Sequence, residues 1–112
     1  MFLRRIALPL ALLAAAPVSA RTAPPPAISK SHEAAAARVR AYAPDVLVLS
    51  LGVDTFDGDP VGGFCLQTPD YLRLGQGIAG LGLPTLFVME GGYAIEAVGI
   101  NTVNVLEGFE NA

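Results

Sequence analysis

Three aspartates lie in a short loop directly after an apolar run, and their type and spacing suit metal chemistry. The run covers residues 46–51, and the loop holds Asp54, Asp57 and Asp59. A carboxylate offers two acceptor oxygens and a charge that a divalent cation neutralises where water is scarce. Asp54 is nearest to the run and best held, whereas Asp-Gly and Asp-Pro steps favour Asp57 and Asp59 as turn formers. Spacing alone leaves a plain turn as the alternative to a metal site.

A tyrosine follows a second apolar run in the same way. This run covers residues 84–89, and after Glu90 come Gly91, Gly92 and Tyr93. A phenol is neutral at pH 7 and donates a hydrogen bond, so Tyr93 can polarise a carbonyl and stabilise the oxyanion that forms when water attacks it. Gly91 and Gly92 would let the backbone approach a ligand closely. The alternative is a tyrosine that stacks on the following helix with its hydroxyl in water.

Periodicity and end signals predict the elements that position these two loops. Ser31 and Thr68 are expected as helix caps, and Pro44 and Gly82 as helix ends. The order is helix, strand, helix, strand, helix, with predicted bounds of 33–42, 46–51, 69–81, 84–89 and 95–109. A strand, crossover helix and parallel strand place both loops at one edge of the sheet, where open α/β sheets bind ligands. Strand order stays open at this stage, because another strand could lie between the two.

The two loops, taken with the runs before them, closely resemble the histone deacetylase superfamily and, within it, the bacterial acetylpolyamine amidohydrolase branch. The similar stretches are PDVLVLSLGVDTFDGDP at residues 44–60 and LPTLFVMEGGY at residues 83–93. The resemblance covers residues 31–112. It implies an α/β fold, namely part of a three-layer α/β/α domain of the arginase and deacetylase type with parallel strands. It also implies that this chain is the carboxy-terminal fragment of a larger domain.

The resemblance assigns roles to five residues. It implies that Asp54 is one of three protein ligands to a catalytic zinc ion and that Tyr93 hydrogen-bonds the scissile carbonyl beside the metal. Val61, Gly91 and Gly92 correspond to positions near the substrate channel. The implied substrate is an acetylated polyamine or an acetyl-lysine-type amide, and the implied products are acetate and a free amine.

Other parts of the family's site have no counterpart in this sequence. The remaining two zinc ligands and the paired histidines that activate water are missing, and His32 is expected to be a solvated surface residue. We therefore expect a zinc-dependent deacetylase fragment that is inactive alone. The alternative is a non-catalytic exported α/β binding module that needs a partner chain or a homo-oligomer, since two parallel strands leave both edges unpaired. A nucleotide-binding half is disfavoured, because no Gly-rich phosphate loop follows either strand.

The amino terminus has the three parts of a secretory signal peptide. Arg4 and Arg5 precede an apolar run over residues 6–16, and Ser19-Ala20 completes a small-residue cleavage site. We predict a signal peptide over residues 1–20, too short in its apolar part to be a stable membrane span, and a Pro-rich linker over 21–30. The deacetylase-like segment is 31–112. The predicted location is periplasmic or secreted if the signal is used, and cytoplasmic otherwise.

Composition excludes several classes of protein. The chain has 112 residues, 53% of them hydrophobic and 15% charged, so it is built to pack and is not a solvated disordered chain. Its net charge of -3, with no basic cluster beyond the first five residues, excludes nucleic acid as an expected partner. Cys65 is the single cysteine, so no intramolecular disulfide forms, and we expect it to be a small buried side chain.

Overall fold

The computed structural model describes residues 30–112 and contains three helices and two strands in the predicted order. The elements are α1 (Lys30–Tyr42), β1 (Leu47–Leu51), α2 (Thr68–Ala79), β2 (Thr85–Met89) and α3 (Ile95–Glu110). The predicted signal peptide and residues 21–29 of the predicted linker lie outside the described residues. Lys30, assigned to that linker, is already part of α1.

The predicted helix caps are wrong by one residue or more, although the helices themselves are confirmed. The predicted end of the second helix at Gly82 is also wrong, because α2 stops at Ala79 with Gly80 as its C-cap. Ser31 lies within α1, and α2 has Gln67 as its N-cap in place of Thr68. The reason at α2 is Asp70, whose Oδ2 accepts the backbone N–H of Gln67 at 2.9 Å and so fixes the first turn. Ala43 ends α1 with a φ of 50°, and the proline after it cannot continue a helix.

The two strands are parallel and directly hydrogen-bonded to each other. The register pairs Leu47 with Thr85 and Leu51 with Met89. No strand therefore lies between β1 and β2, which answers the open question of strand order. The loops after both strands start at the same edge of this sheet. The predicted α/β class with parallel strands is confirmed.

The hydrophobic core lies between one face of the sheet and the helices. Its buried members come from all three helices, from β1 and from the loop after it: Val39, Leu47, Leu49, Leu51, Val53, Tyr71, Ile78 and Val105. On the opposite face of the sheet, Leu86 and Val88 of β2 are 57% and 41% exposed. The described residues thus form two layers of the expected arrangement, with the second face of the sheet open.

Helices α2 and α3 pack closely because glycines lie at their contact. A Cβ atom at Gly75 would overlap the carbonyl oxygen of Val105, and one at Gly108 would overlap that of Leu72. Between the sheet and α3, the ring of Phe87 packs edge to face against the ring of Phe109, with centroids 5.2 Å apart.

Among residues 30–112, no helix has the length and apolarity needed to cross a bilayer.

Candidate functional site

The loops after β1 and β2 lie side by side and are joined by backbone hydrogen bonds. The N–H of Glu90 donates to the carbonyl oxygen of Leu51 at 3.0 Å, and the N–H of Val53 donates to that of Gly91 at 2.8 Å. These bonds continue the pairing of the two strands into their loops. The predicted placement of both loops at one edge of the sheet is therefore correct.

Asp54 points its carboxylate at the junction of the two loops. A Cβ atom at Gly91 would lie 2.5 Å from Oδ2 of Asp54, and one at Gly52 would lie 2.8 Å from Oδ1. Glycine at these two positions leaves the space that the carboxylate fills. Asp54 is half-buried, yet within residues 30–112 its oxygens accept no hydrogen bond. Its acceptor capacity is available to a ligand.

A buried tyrosine of α2 holds the residues on either side of Asp54. The Tyr71 hydroxyl donates to the carbonyl oxygen of Val53 at 3.1 Å. Because this bond uses the only proton of the Tyr71 hydroxyl, the Thr55 hydroxyl is the donor in the bond between Thr55 and the Tyr71 oxygen, at 2.9 Å. Burial raises the pKa of Tyr71 to about 12, so the hydroxyl keeps its proton and the bond to Val53 at ordinary pH. Tyr71 thereby fixes the backbone that carries Asp54.

Asp59 connects the loop after β1 to the loop after β2. Its Oδ1 accepts the backbone N–H groups of Val61 at 2.9 Å and Gly62 at 3.2 Å. Its Oδ2 accepts those of Tyr93 at 2.7 Å and Ala94 at 3.1 Å. The side chain is buried, at 6% exposure, and both oxygens are fully engaged.

The environment of Asp59 keeps its carboxylate charged. Burial disfavours the charged form and by itself raises the pKa of Asp59, but the four backbone N–H donors outweigh it and hold that pKa below its ordinary value. Sequence reasoning identified Asp59 only as a turn former. Its bonds to Val61 and Gly62 are such a local turn, whereas its bonds to the second loop join residues 34 and 35 positions away and leave no local signal.

Tyr93 is held through its backbone and extends its side chain towards solvent. The residue is 51% exposed, and its hydroxyl bonds to none of the described residues. Gly92 before it has a φ of 141°, which disfavours any residue with a Cβ atom. That atom would also lie 2.6 Å from a methyl of Val53 and 2.8 Å from one of Val98. The loop is therefore pressed against the core just before Tyr93.

The other residues predicted for the substrate channel fall on both sides of this junction. Gly91 lies against the Asp54 carboxylate, and Gly92 directly precedes Tyr93. Val61, 68% exposed, follows Asp59 in the first loop. The structure thus brings the backbones of all these residues into two adjoining loops. Their roles in binding and catalysis stay predictions.

His32 lies on α1, and Cys65 lies near the end of the loop after β1. His32 on α1 is half-buried, not fully solvated as predicted, and a Cβ atom at Gly77 of α2 would lie 2.7 Å from its Nε2. Burial, and after it the nearby charge of Arg40, lowers the pKa of His32 below its ordinary value. Cys65 is half-buried, less enclosed than its sequence context predicted.

The described residues do not fit a complete zinc site. In residues 30–112, no three His, Cys, Asp or Glu side chains come together as a set that could hold a metal ion. A catalytic zinc site uses three protein ligands and keeps one position open. Asp54 has the chemistry and the free oxygens of a single ligand, and nothing beside it in this part of the chain completes the set.

Comparison with known proteins places these two loops in a family. A family model described as the histone deacetylase domain matches residues 14–109. The chain is 62% identical over 84 residues to acetylpolyamine amidohydrolase 1 of Pseudomonas aeruginosa, and the aligned stretch covers 75% of this chain and 24% of that protein. It is 49% identical over 71 residues to the acetylpolyamine amidohydrolase of Mycoplana ramosa, covering 63% of this chain and 21% of that protein.

A solved structure agrees with the sequence matches. The crystal structure of acetylpolyamine aminohydrolase from Burkholderia pseudomallei superposes with a TM-score of 0.68 and 42% identity, over 70% of this chain and 23% of that one. The chain spans about a quarter of the length of the curated relatives it matches. The resemblance predicted from the two loops is confirmed, and the chain belongs to the histone deacetylase family.

Proposed function

We propose that this chain supplies Asp54 and Tyr93 to the active site of a zinc-dependent deacetylase that hydrolyses acetylated polyamines or acetyl-lysine-type amides. The observation that carries the proposal is the state of Asp54. It is a half-buried carboxylate at the junction of two loops, and its oxygens bond to none of the described residues. Neither oxygen is among the buried unpartnered atoms of the described residues, so a cation that enters the junction of the loops can reach both.

The chain's own groups suit two tasks in acetyl transfer to water. The hydroxyl of Tyr93 donates a hydrogen bond to the acetyl carbonyl and to the oxyanion that develops from it. Asp54 is the proposed ligand to zinc, which needs two further protein ligands from outside residues 30–112. The exposed Val61 and the glycines of the second loop are proposed to border the substrate.

We further propose that the chain alone does not turn over substrate. Residues 30–112 hold one histidine, and it lies on α1, against Gly77 of α2. Loss of a general base lowers the rate by roughly two to four orders of magnitude. The purified chain with added zinc should therefore hydrolyse acetylputrescine no faster than free zinc does.

A chimera tests the assignment of the two residues. The matched segment of the Pseudomonas aeruginosa relative is replaced by the corresponding part of this chain, and metal content and acetylputrescine hydrolysis are measured. We expect Asp54→Asn to lose both zinc and activity, and Tyr93→Phe to keep zinc and lose at least about a hundredfold in kcat. Asp57→Asn, in the same loop but exposed, is the matched control and should keep both. An active chimera that tolerates Asp54→Asn would contradict the proposal.

A second candidate is a non-catalytic binding module completed by a partner chain. The open face of the sheet favours it, since Leu86 and Val88 leave apolar surface exposed among the described residues. A folded chimera without activity, together with an oligomer of the isolated chain that dissociates in Leu86→Lys, would favour this candidate over the deacetylase.

The predicted division of the chain and its location are tested separately. We propose that residues 1–20 direct export, that 21–30 act as a linker and that the family segment follows. Fusing residues 1–30 to a reporter enzyme that is active only outside the cytoplasm checks this. Activity lost on Leu10→Arg, within the apolar run, would support export, and a reporter that stays inactive with the unaltered segment would oppose it.

A further inference from the structure

We propose that Asp59 is a positioning residue that sets the place of Tyr93 by tying the second loop to the first. It does so through hydrogen bonds from its carboxylate to the backbone and does not touch the substrate. The proposal rests on the proposed function only for the role given to the Tyr93 hydroxyl. The link between the two loops stands on geometry alone.

The geometry divides the carboxylate evenly between the two loops. One oxygen takes the N–H groups of Val61 and Gly62, and the other takes those of Tyr93 and Ala94. The bond from Tyr93, at 2.7 Å, is the shortest of the four and has the length of a charge-assisted hydrogen bond. Moving the Asp59 side chain therefore moves the backbone of Tyr93.

The same carboxylate also stabilises the start of α3. Tyr93 and Ala94 come directly before α3, and Ala94, its N-cap, has no side-chain oxygen with which to cap the helix. The positive end of the helix favours a negative charge at this place. Asp59 supplies that charge from another loop and so fixes the angle at which the chain passes from Tyr93 into the helix.

An amide cannot replace this carboxylate. All four partners are N–H donors, and an asparagine would turn its own NH2 group towards two of them. One loop would keep its acceptor, and the other would face a donor with nothing to accept its hydrogens. Asp59→Asn is therefore expected to break the link at Tyr93 and Ala94 while it preserves the size of the side chain and the backbone bonds at Glu90 and Gly91.

Tyrosine amide signals provide a direct test on the full chain. Labelling with 15N-tyrosine gives signals from Tyr42, Tyr71 and Tyr93, and Tyr93→Phe assigns the third. We expect Asp59→Asn to move the Tyr93 amide proton upfield and to speed its exchange with solvent about tenfold or more, while the Tyr71 amide keeps its shift. The matched control Asp57→Asn should leave all three signals in place. A folded Asp59→Asn variant whose Tyr93 signal is unchanged would overturn the proposal.

A measurement on the unaltered chain decides the matter if Asp59→Asn does not fold. With 13C and 15N labelling, scalar coupling through the hydrogen bond between the Asp59 carboxyl carbon and the Tyr93 amide nitrogen should be detected, and the Tyr93 amide should exchange slowly. A rapidly exchanging Tyr93 amide without that coupling would refute the link. None of these readouts uses activity, so the two proposals can fail separately. An inactive chimera in which the Tyr93 amide still exchanges slowly would contradict the proposed function and would still support the role of Asp59.

Discussion

The two loops at the edge of the sheet are held in different ways. The loop after β1 is anchored by its own side chains and by α2: Val53 and Thr55 are buried, and Tyr71 bonds to both. The loop after β2 contributes no buried side chain between the strand and α3. Backbone hydrogen bonds at Glu90 and Gly91 continue the strand pairing into it. Beyond these it is held by a glycine in an unusual conformation and by a carboxylate that belongs to the first loop.

This difference suggests a one-way dependence. The first loop is part of the core and keeps its shape through contacts of its own, whereas the second takes its position from the first. A rigid setting suits the metal ligand proposed at Asp54, whose oxygens must stay in place, and a weaker attachment suits the phenol of Tyr93 if it contacts a substrate as proposed. Disturbing the first loop should displace the second, and the reverse effect should be small.

The largest expected effect comes from breaking the first loop at Gly62. A Cβ atom there would overlap the backbone carbonyl of Asp54, which cannot move without shifting the core. We expect Gly62→Ala to lower the free energy of unfolding by about 3 kcal/mol. Gly63→Ala is the matched control, because nothing lies within 4 Å of its Cβ position. Urea unfolding followed by circular dichroism measures both variants. Equal stability of the two would show that a Cβ atom at Gly62 is not crowded by the Asp54 carbonyl.

A smaller loss is expected from the second loop at Gly92. Alanine there is strained at a φ of 141° and meets methyl groups of Val53 and Val98. We expect Gly92→Ala to cost about 2 kcal/mol in the same unfolding measurement. Gly99→Ala within α3 has open space and should instead stabilise the helix by about 0.5–1 kcal/mol. If Gly92→Ala proved the more harmful of the two loop variants, the proposed dependence would be reversed.

Two tyrosine hydroxyls sharpen the contrast: that of Tyr71, which holds the first loop from α2, and that of Tyr93 in the second loop. Tyr71→Phe leaves the Val53 carbonyl and the Thr55 hydroxyl without their buried partner and should cost about 1–2 kcal/mol. Tyr93→Phe removes a hydroxyl that bonds to none of the described residues, so stability should change by less than about 0.5 kcal/mol. Thermal unfolding of both variants measures the difference. Comparable losses would show that Tyr93 is as firmly held as Tyr71.

Acid should change the stability of the fold least, and only over a narrow pH range. The folded-state pKa of Asp59 lies below its ordinary value of 3.8, so its contribution to stability is present above that value and is lost as the pH falls through the folded-state pKa. The stability gap between the unaltered chain and Asp59→Asn should therefore be constant from pH 7 to 5 and shrink below 3.8. Asp57→Asn, an exposed change in the same loop, is measured in parallel as the control. A gap that widened in acid would mean that the sign of the shift is wrong.

Local chemistry was enough to find the elements and to single out Asp54 as the aspartate nearest to the strand, whose role as a ligand stays a prediction. Apolar runs marked both strands, and Pro44 marked the end of α1, because proline acts through the backbone of its own residue. Gly82 was wrong as the end of α2, which stops at Ala79 with Gly80 as its C-cap. The cap at α2 was missed by one residue, since Asp70 could favour either of two neighbouring residues and only the bond to Gln67 selects one.

Asp59 shows where such reasoning stops. Its neighbours Gly58 and Pro60 are turn residues, and that is how the sequence describes it. The tertiary structure decided that this side chain is buried, that it reaches a backbone 34 residues away, and that Asp54 fills the space beside Gly91. Strand order and burial bring these groups together, and both depend on long-range packing, which no pattern of neighbouring residues records.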